Sequence, residues 1–114
     1  MILDLLSVAA GGALGASARW GVSFIVPFPL ATLAVNVLGS FLIGVVWVLL
    51  GPRWLPFLMV GVMGGFTTFS SFSLDMFRLV EDGRSGLALV HLLGSVALPL
   101  AAVWLGVMAA RVWE

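Results

Sequence analysis

Thr32, Asn36, Ser40 and Gly44 recur at intervals of four within an otherwise apolar stretch. At that interval all four fall on one face of a helix. An amide and two hydroxyls in a row supply N–H and O–H donors, which suit desolvation of a small ion better than covalent chemistry. Asn36 is the most telling member, because an unpaired amide in hydrocarbon costs several kcal/mol. It must either bond to a neighbouring helix or face a cavity.

A second constellation is "GGFTTFSSFS", Gly64 to Ser73, which opens on paired glycines and carries five hydroxyls. The glycines weaken helix propensity, while Thr67, Thr68, Ser70, Ser71 and Ser73 compete for backbone hydrogen bonds. A helix broken at membrane depth is tolerated only where it is buried in protein or lines a cavity. Carbonyls freed at such a break can coordinate a hard cation such as Na⁺. Phe69 and Phe72, three apart, are expected to share a face beside the hydroxyls. Their ring edges are electropositive and can face an anion, and the plainer alternative is lipid or core packing.

Three further positions bear on the same chemistry. Arg19 is the one basic residue well inside a span; it is either a snorkelling anchor or a fixed positive charge that attracts anions. His91 and Ser95 stand four apart, with Pro99 continuing their face. A lone histidine in a span is often a structural hydrogen-bonder. Asp75, where the third span closes, is expected to be solvated or paired with Arg78. Cation pathways ordinarily use carboxylates or carbonyl rings, so amide, hydroxyls, ring edges and one arginine better suit a small anion.

The elements that hold these residues must be membrane spans. Of 114 residues 62% are hydrophobic and 9% charged, against roughly 25% charged in soluble domains. Breakers divide the chain into spans of about 2–26, 30–50, 54–80 and 87–112, separated by "VPFP", "GPRW" and "EDGRSG". Each reaches the roughly 20 apolar residues a crossing requires. The expected fold is an all-α membrane protein, one domain over 1–114, with four transmembrane helices and the third broken near its middle. The absence of cysteine removes disulfide and thiolate chemistry. Zero net charge implies neither nucleic acid nor an anionic surface as partner. "MILD" lacks the positive n-region of a signal peptide, so the first span is expected to be retained.

Gly11 with Gly15, Gly12 with Ala16, Ser40 with Gly44 and Gly61 with Gly65 form small-xxx-small pairs that let helix backbones approach. Four short helices enclose little interior, so a polar pathway fits better between subunits. Arg53 and Arg111 lie on one side of the membrane, Arg78 and Arg84 on the other, with Arg19 towards the latter. That distribution gives no orientation bias. It leaves open either an antiparallel, dual-topology homodimer or an orientation settled by insertion order or a partner.

"GGALGASARW", "ATLAVNVLGSFLIG" and "GGFTTFSSFS", in that order, resemble the Fluc (CrcB) fluoride channel family over essentially the whole chain. The resemblance implies a passive fluoride-selective channel in a prokaryotic membrane, exporting fluoride through two pores per antiparallel dimer. It implies that Asn36, Phe69 and Phe72 line the pores, with Thr32, Ser71, Ser95 and Arg19 along the same path. It also implies that the carbonyls of Gly64 and Thr67 hold a structural Na⁺ at the dimer interface. His91 departs from the tyrosine or other neutral polar residue expected there, and Pro99 from a hydroxyl.

Two other classes are set against this reading. A small multidrug transporter subunit would need a membrane-embedded carboxylate, and no Asp or Glu lies between Leu5 and Leu74. A small accessory membrane protein would explain the glycines but not the aligned polar stripe. An enzyme would need a nucleophile with its base, or a metal cluster, and neither is present in the sequence.

Overall fold

A computed structural model describes residues 1–114. The chain is all-helical, and four of its helical stretches are long and apolar enough to cross a membrane. The first, α1, spans Ile2–Val22, and α2 spans Leu30–Leu49. The third crossing is composite. A short 3₁₀ turn (Pro52–Trp54) leads into a π-helical segment (Leu55–Met63) and one α-turn, α3 (Gly64–Phe66). After an extended residue at Thr67 the chain resumes as α4, Ser70–Glu81. The fourth crossing, α5, spans Ser85–Arg111.

Sequence accounts for most of these ends. Pro27 disfavours helical backbone at Val26, and α1 stops at Val22, short of the expected 26, in turns closed by Phe24 N–H to Gly21 O and Ile25 N–H to Val22 O. Gly51 and Pro52 end α2. Gly83, with φ +76°, makes the turn between α4 and α5. The π-helical stretch was not expected, since such turns occur mostly singly inside α-helices and often at functional sites.

Packing follows the small residues. α1 lies along the π-helical segment, and α2 along α5. A Cβ on Gly15 would overlap the carbonyl oxygen of Val62, and one on Gly65 would stand 2.7 Å from Gly12 O. The first and third crossings thus meet backbone to backbone, as helices do when lipid supplies no drive for association. Gly44 and Gly106 do the same between α2 and α5, where a Cβ on Gly44 would meet Val103 O at 2.6 Å.

Only 16 of the 114 residues are buried, six of them glycines. Phe72, Asp75 and Leu79 form the buried face of α4. Most of the large apolar side chains, Trp47, Phe77 and Trp104 among them, point outward.

Candidate functional site

The break in the third crossing is where backbone groups lose their helical partners, and side chains from other helices replace them. Asn36, on α2, donates from Nδ2 to the carbonyl of Thr68 at 2.9 Å and accepts from the Thr68 N–H at Oδ1 at 2.8 Å. Arg19, on α1, donates from Nε to the carbonyl of Gly65 at 3.1 Å. The hydroxyl of Thr68 accepts from Ser71 N–H at 3.1 Å and so starts α4. Thr67 turns its own hydroxyl back to Met63 O at 2.9 Å. The carbonyls of Gly64 and Thr67 receive no hydrogen bond from this chain. Gly64 is exposed and Thr67 half-buried.

Two cavities flank the Asn36–Thr68 pair, and Thr68 is the one residue that lines both. The first, about 500 Å³, is walled by Arg19, Thr32, Thr68, Ser71, Asp75 and Arg78 together with apolar residues. The second, about 470 Å³, includes Asn36, Gly64, Thr67, Phe69 and Ser95. The expected residues therefore separate into two groups. Arg19, Thr32 and Ser71 belong to the first cavity, while Asn36, Phe69, Ser95, Gly64 and Thr67 belong to the second. Phe72 lines neither.

Several expectations need correction in detail. The stripe Thr32–Asn36–Ser40–Gly44 does not line a single continuous wall. It passes from the first cavity to the second, and Gly44 ends it in packing against α5. The Thr32 hydroxyl is not free, because it donates to Asp75 Oδ2 at 2.7 Å. Of the two roles expected for Asp75, solvation is not found, since it is 8% exposed, whereas pairing with Arg78 is, through a long contact of 3.9 Å to Nη1. The Thr32 bond supplies the short contact a buried carboxylate requires.

Phe69 and Phe72 keep edge contact, with ring centroids 5.5 Å apart, but not a shared environment. Phe69 is 76% exposed and Phe72 is 6% exposed. Phe69 is the N-cap of α4, with helical backbone angles and a carbonyl that accepts from Ser73 N–H at 2.9 Å, and its ring stands on the open side of Phe72. The Phe72 ring instead lies against His91, with centroids 5.6 Å apart. Pro99 lines the second cavity and has no N–H for the Ser95 carbonyl one turn earlier.

Thr68 and Gly65 were expected only to weaken the helix and Asp75 only to close a span; the structure brings all three to the site. Asp75 was detectable from its spacing of three from Phe72 on an amphipathic helix. Thr68 stands three residues before Ser71, the spacing of a hydroxyl that opens a helix.

Comparison with known proteins gives this geometry a context. Residues 6–107 match the family model described as "CrcB-like protein, Camphor Resistance (CrcB)". A relative from Cereibacter sphaeroides, named fluoride-specific ion channel FluC, is 52% identical over 99% of this chain and 98% of its own length. Relatives carrying the same name in Paracoccus denitrificans and Coxiella burnetii are 47% and 38% identical, over 93% and 96% of this chain and 93% and 98% of theirs.

Proposed function

The chain belongs to the CrcB family, and from that premise we propose that it is a passive, fluoride-specific ion channel of a prokaryotic membrane, through which fluoride leaves the cell. The observation that carries this function is the donor-bearing break: two cavities, each with hydroxyl or amide groups set among apolar residues, meet at the Asn36–Thr68 pair.

Fluoride is small and strongly hydrated, so a pathway must replace its water with donors and must not bind it too tightly. In the first cavity Arg19 spends only Nε on Gly65 O. Its Nη groups supply positive charge to a cavity whose wall also carries Asp75, held by Thr32. In the second cavity Asn36 has one N–H left after bonding to Thr68, and Ser95 offers its hydroxyl. The exposed Phe69 adds a ring edge, which attracts an anion more weakly than a charge does.

The working unit is an antiparallel, dual-topology homodimer with two pores, its outer faces covered by lipid. Three features support it. Arginines are spread almost evenly over the two membrane sides. Few residues are buried within one chain. Phe69, a proposed pore residue, stands open on the surface. The free carbonyls of Gly64 and Thr67 fit a Na⁺ at the dimer interface, which would supply a fixed positive charge where partial negative charges gather. Asn36, Arg19 and Thr68 hold the broken backbone in place from within the chain. No covalent step is involved, and the protein is not an enzyme.

The test is efflux from liposomes containing the purified protein, with fluoride and chloride followed by ion-selective electrodes. Fluoride efflux without chloride efflux is the expected result. Equal rates for both ions, or none for either, would remove the channel reading.

A further inference from the structure

Two buried side-chain polar atoms in this chain have no hydrogen-bond partner, His91 Nε2 and Ser95 Oγ. They belong to residues four apart on α5 and so share a helical face. His91 is 4% exposed and is the only histidine in the chain. Ser95 lines the second cavity beside Asn36, whereas His91 lies one turn further, against the ring of Phe72.

Buried polar groups are almost always paired, and each exception calls for a reason. A neutral imidazole presents one N–H and one lone pair, and a protonated one presents two N–H donors. No protein acceptor serves Nε2 here. The charged groups around it do not fill the gap either. α5 packs on α2 and α4, and α2 has no ionisable side chain. On the buried face of α4 the one charged group is Asp75, already bonded by Thr32 and linked to Arg78. Arg78 and Glu81 on α4 are exposed, and Arg111 closes the far end of α5.

We propose that His91 is a proton-linked anion ligand of the pathway, pairing its Nε2–H with the hydroxyl of Ser95 on one fluoride ion. This rests on the channel reading. An anion at this point accepts from both orphan donors, and it favours imidazolium over imidazole through its charge. By linkage, fluoride must raise the proton affinity of His91 by the factor that protonation raises the affinity for fluoride. Fluoride conduction is then tuned by pH through one residue, rising at subsaturating fluoride as the solution becomes more acidic.

A single histidine makes the test direct. Full-length protein labelled with ¹⁵N in the imidazole, in lipid nanodiscs, is titrated with and without sodium fluoride, with sodium chloride as the control salt. The His91 midpoint is expected to move up in fluoride by about 0.7 pH unit or more, the roughly fivefold coupling at the low end for linked sites, and not to move in chloride. In liposomes, after subtraction of the leak from protein-free vesicles, wild-type efflux at low fluoride should be greater at pH 6 than at pH 8. His91→Gln should give equal rates. A midpoint indifferent to fluoride overturns the proposal, as does a pH profile unchanged in His91→Gln. Wild-type protein that carries no fluoride at any pH would sink the channel reading instead, leaving the spectroscopic shift to decide on His91.

Discussion

Asn36 and Thr68 exchange two hydrogen bonds, at 2.9 and 2.8 Å, across 32 residues of sequence. The side-chain amide of α2 thereby does for the broken backbone what a further helical turn would have done. Position 36 accordingly serves the fold, in addition to the pore role proposed for it.

Asn36→Asp should therefore lose both. A carboxylate accepts from Thr68 N–H but cannot donate to Thr68 O, and it sets negative charge against that carbonyl. Leaving a buried group unsatisfied costs about 1–3 kcal/mol. Thermal unfolding in detergent should show a lower midpoint together with abolished fluoride flux. Wild-type stability with flux lost would mean that the backbone pairing is energetically idle.

Thr32→Val should destabilise the chain by about 1.5–3 kcal/mol, the range for hydrogen bonds to charged groups. It removes the 2.7 Å donor to a carboxylate that is 8% exposed. Asp75→Asn should cost less, since the Thr32 hydroxyl can still donate to the new amide oxygen. Denaturant titration of the two variants side by side gives the order, and the reverse order would show that Arg78 rather than Thr32 holds Asp75.

Gly15→Val should be more disruptive than Gly86→Ala. A Cβ on Gly15 overlaps Val62 O, and the neighbour that must yield is backbone; a Cβ on Gly86 meets nothing within 4 Å. Overpacking of this kind costs about 1–3 kcal/mol. Comparable thermal midpoints for the two variants would deny the close seam between α1 and the π-helical segment.

Gly64→Val separates the single chain from its assembly. Gly64 has ordinary helical backbone, φ −62° and ψ −39°, and beyond its own turn of helix an added Cβ comes no nearer than 3.8 Å to an atom of this chain, Met59 O. The expectation is unchanged helix content by circular dichroism, with loss of dimer in crosslinking and loss of flux. Replacing Na⁺ by Cs⁺ should depress flux in the wild type in the same way. Full activity of Gly64→Val in either salt would leave the proposed interface and its cation without support.

If orientation is mixed, a cysteine added after Glu114 should be labelled by an impermeant reagent in about half the molecules of intact cells, as an absent positive-inside bias implies. Labelling of all or none would show one orientation and end the antiparallel assignment.

The crossings were legible because proline, glycine and polar turns punctuate long apolar runs, and chain physics permits little else in lipid. The break was legible as well, since Gly64, Gly65 and the hydroxyls that follow oppose a continuous helix. The satisfaction of the break was less so. Asn36 and Arg19 each had two open roles, and only three-dimensional placement selected Thr68 O and Gly65 O as their partners. Phe69 and Phe72 do meet ring to ring, as their spacing of three implies, but only the structure shows that one ring is exposed and the other buried. Asp75 was read from its place near a span end, when its neighbours on α4 already marked it as inward-facing.

The pairing of Asn36 with Thr68 also sets an order of events during synthesis. Helix α2 ends at Leu49, so it is complete while Thr68 is still 19 residues from being made. At roughly 5–20 residues per second that interval is about 1–4 s. Throughout it the amide of Asn36 has no partner from the break, and release into bare hydrocarbon would leave it unpaired at a cost of several kcal/mol. The second crossing should therefore linger beside the insertion machinery until the third arrives, and the two should enter the bilayer as a pair. A chain truncated before Thr68 should remain crosslinked to that machinery, and one extended past Ser73 should let go.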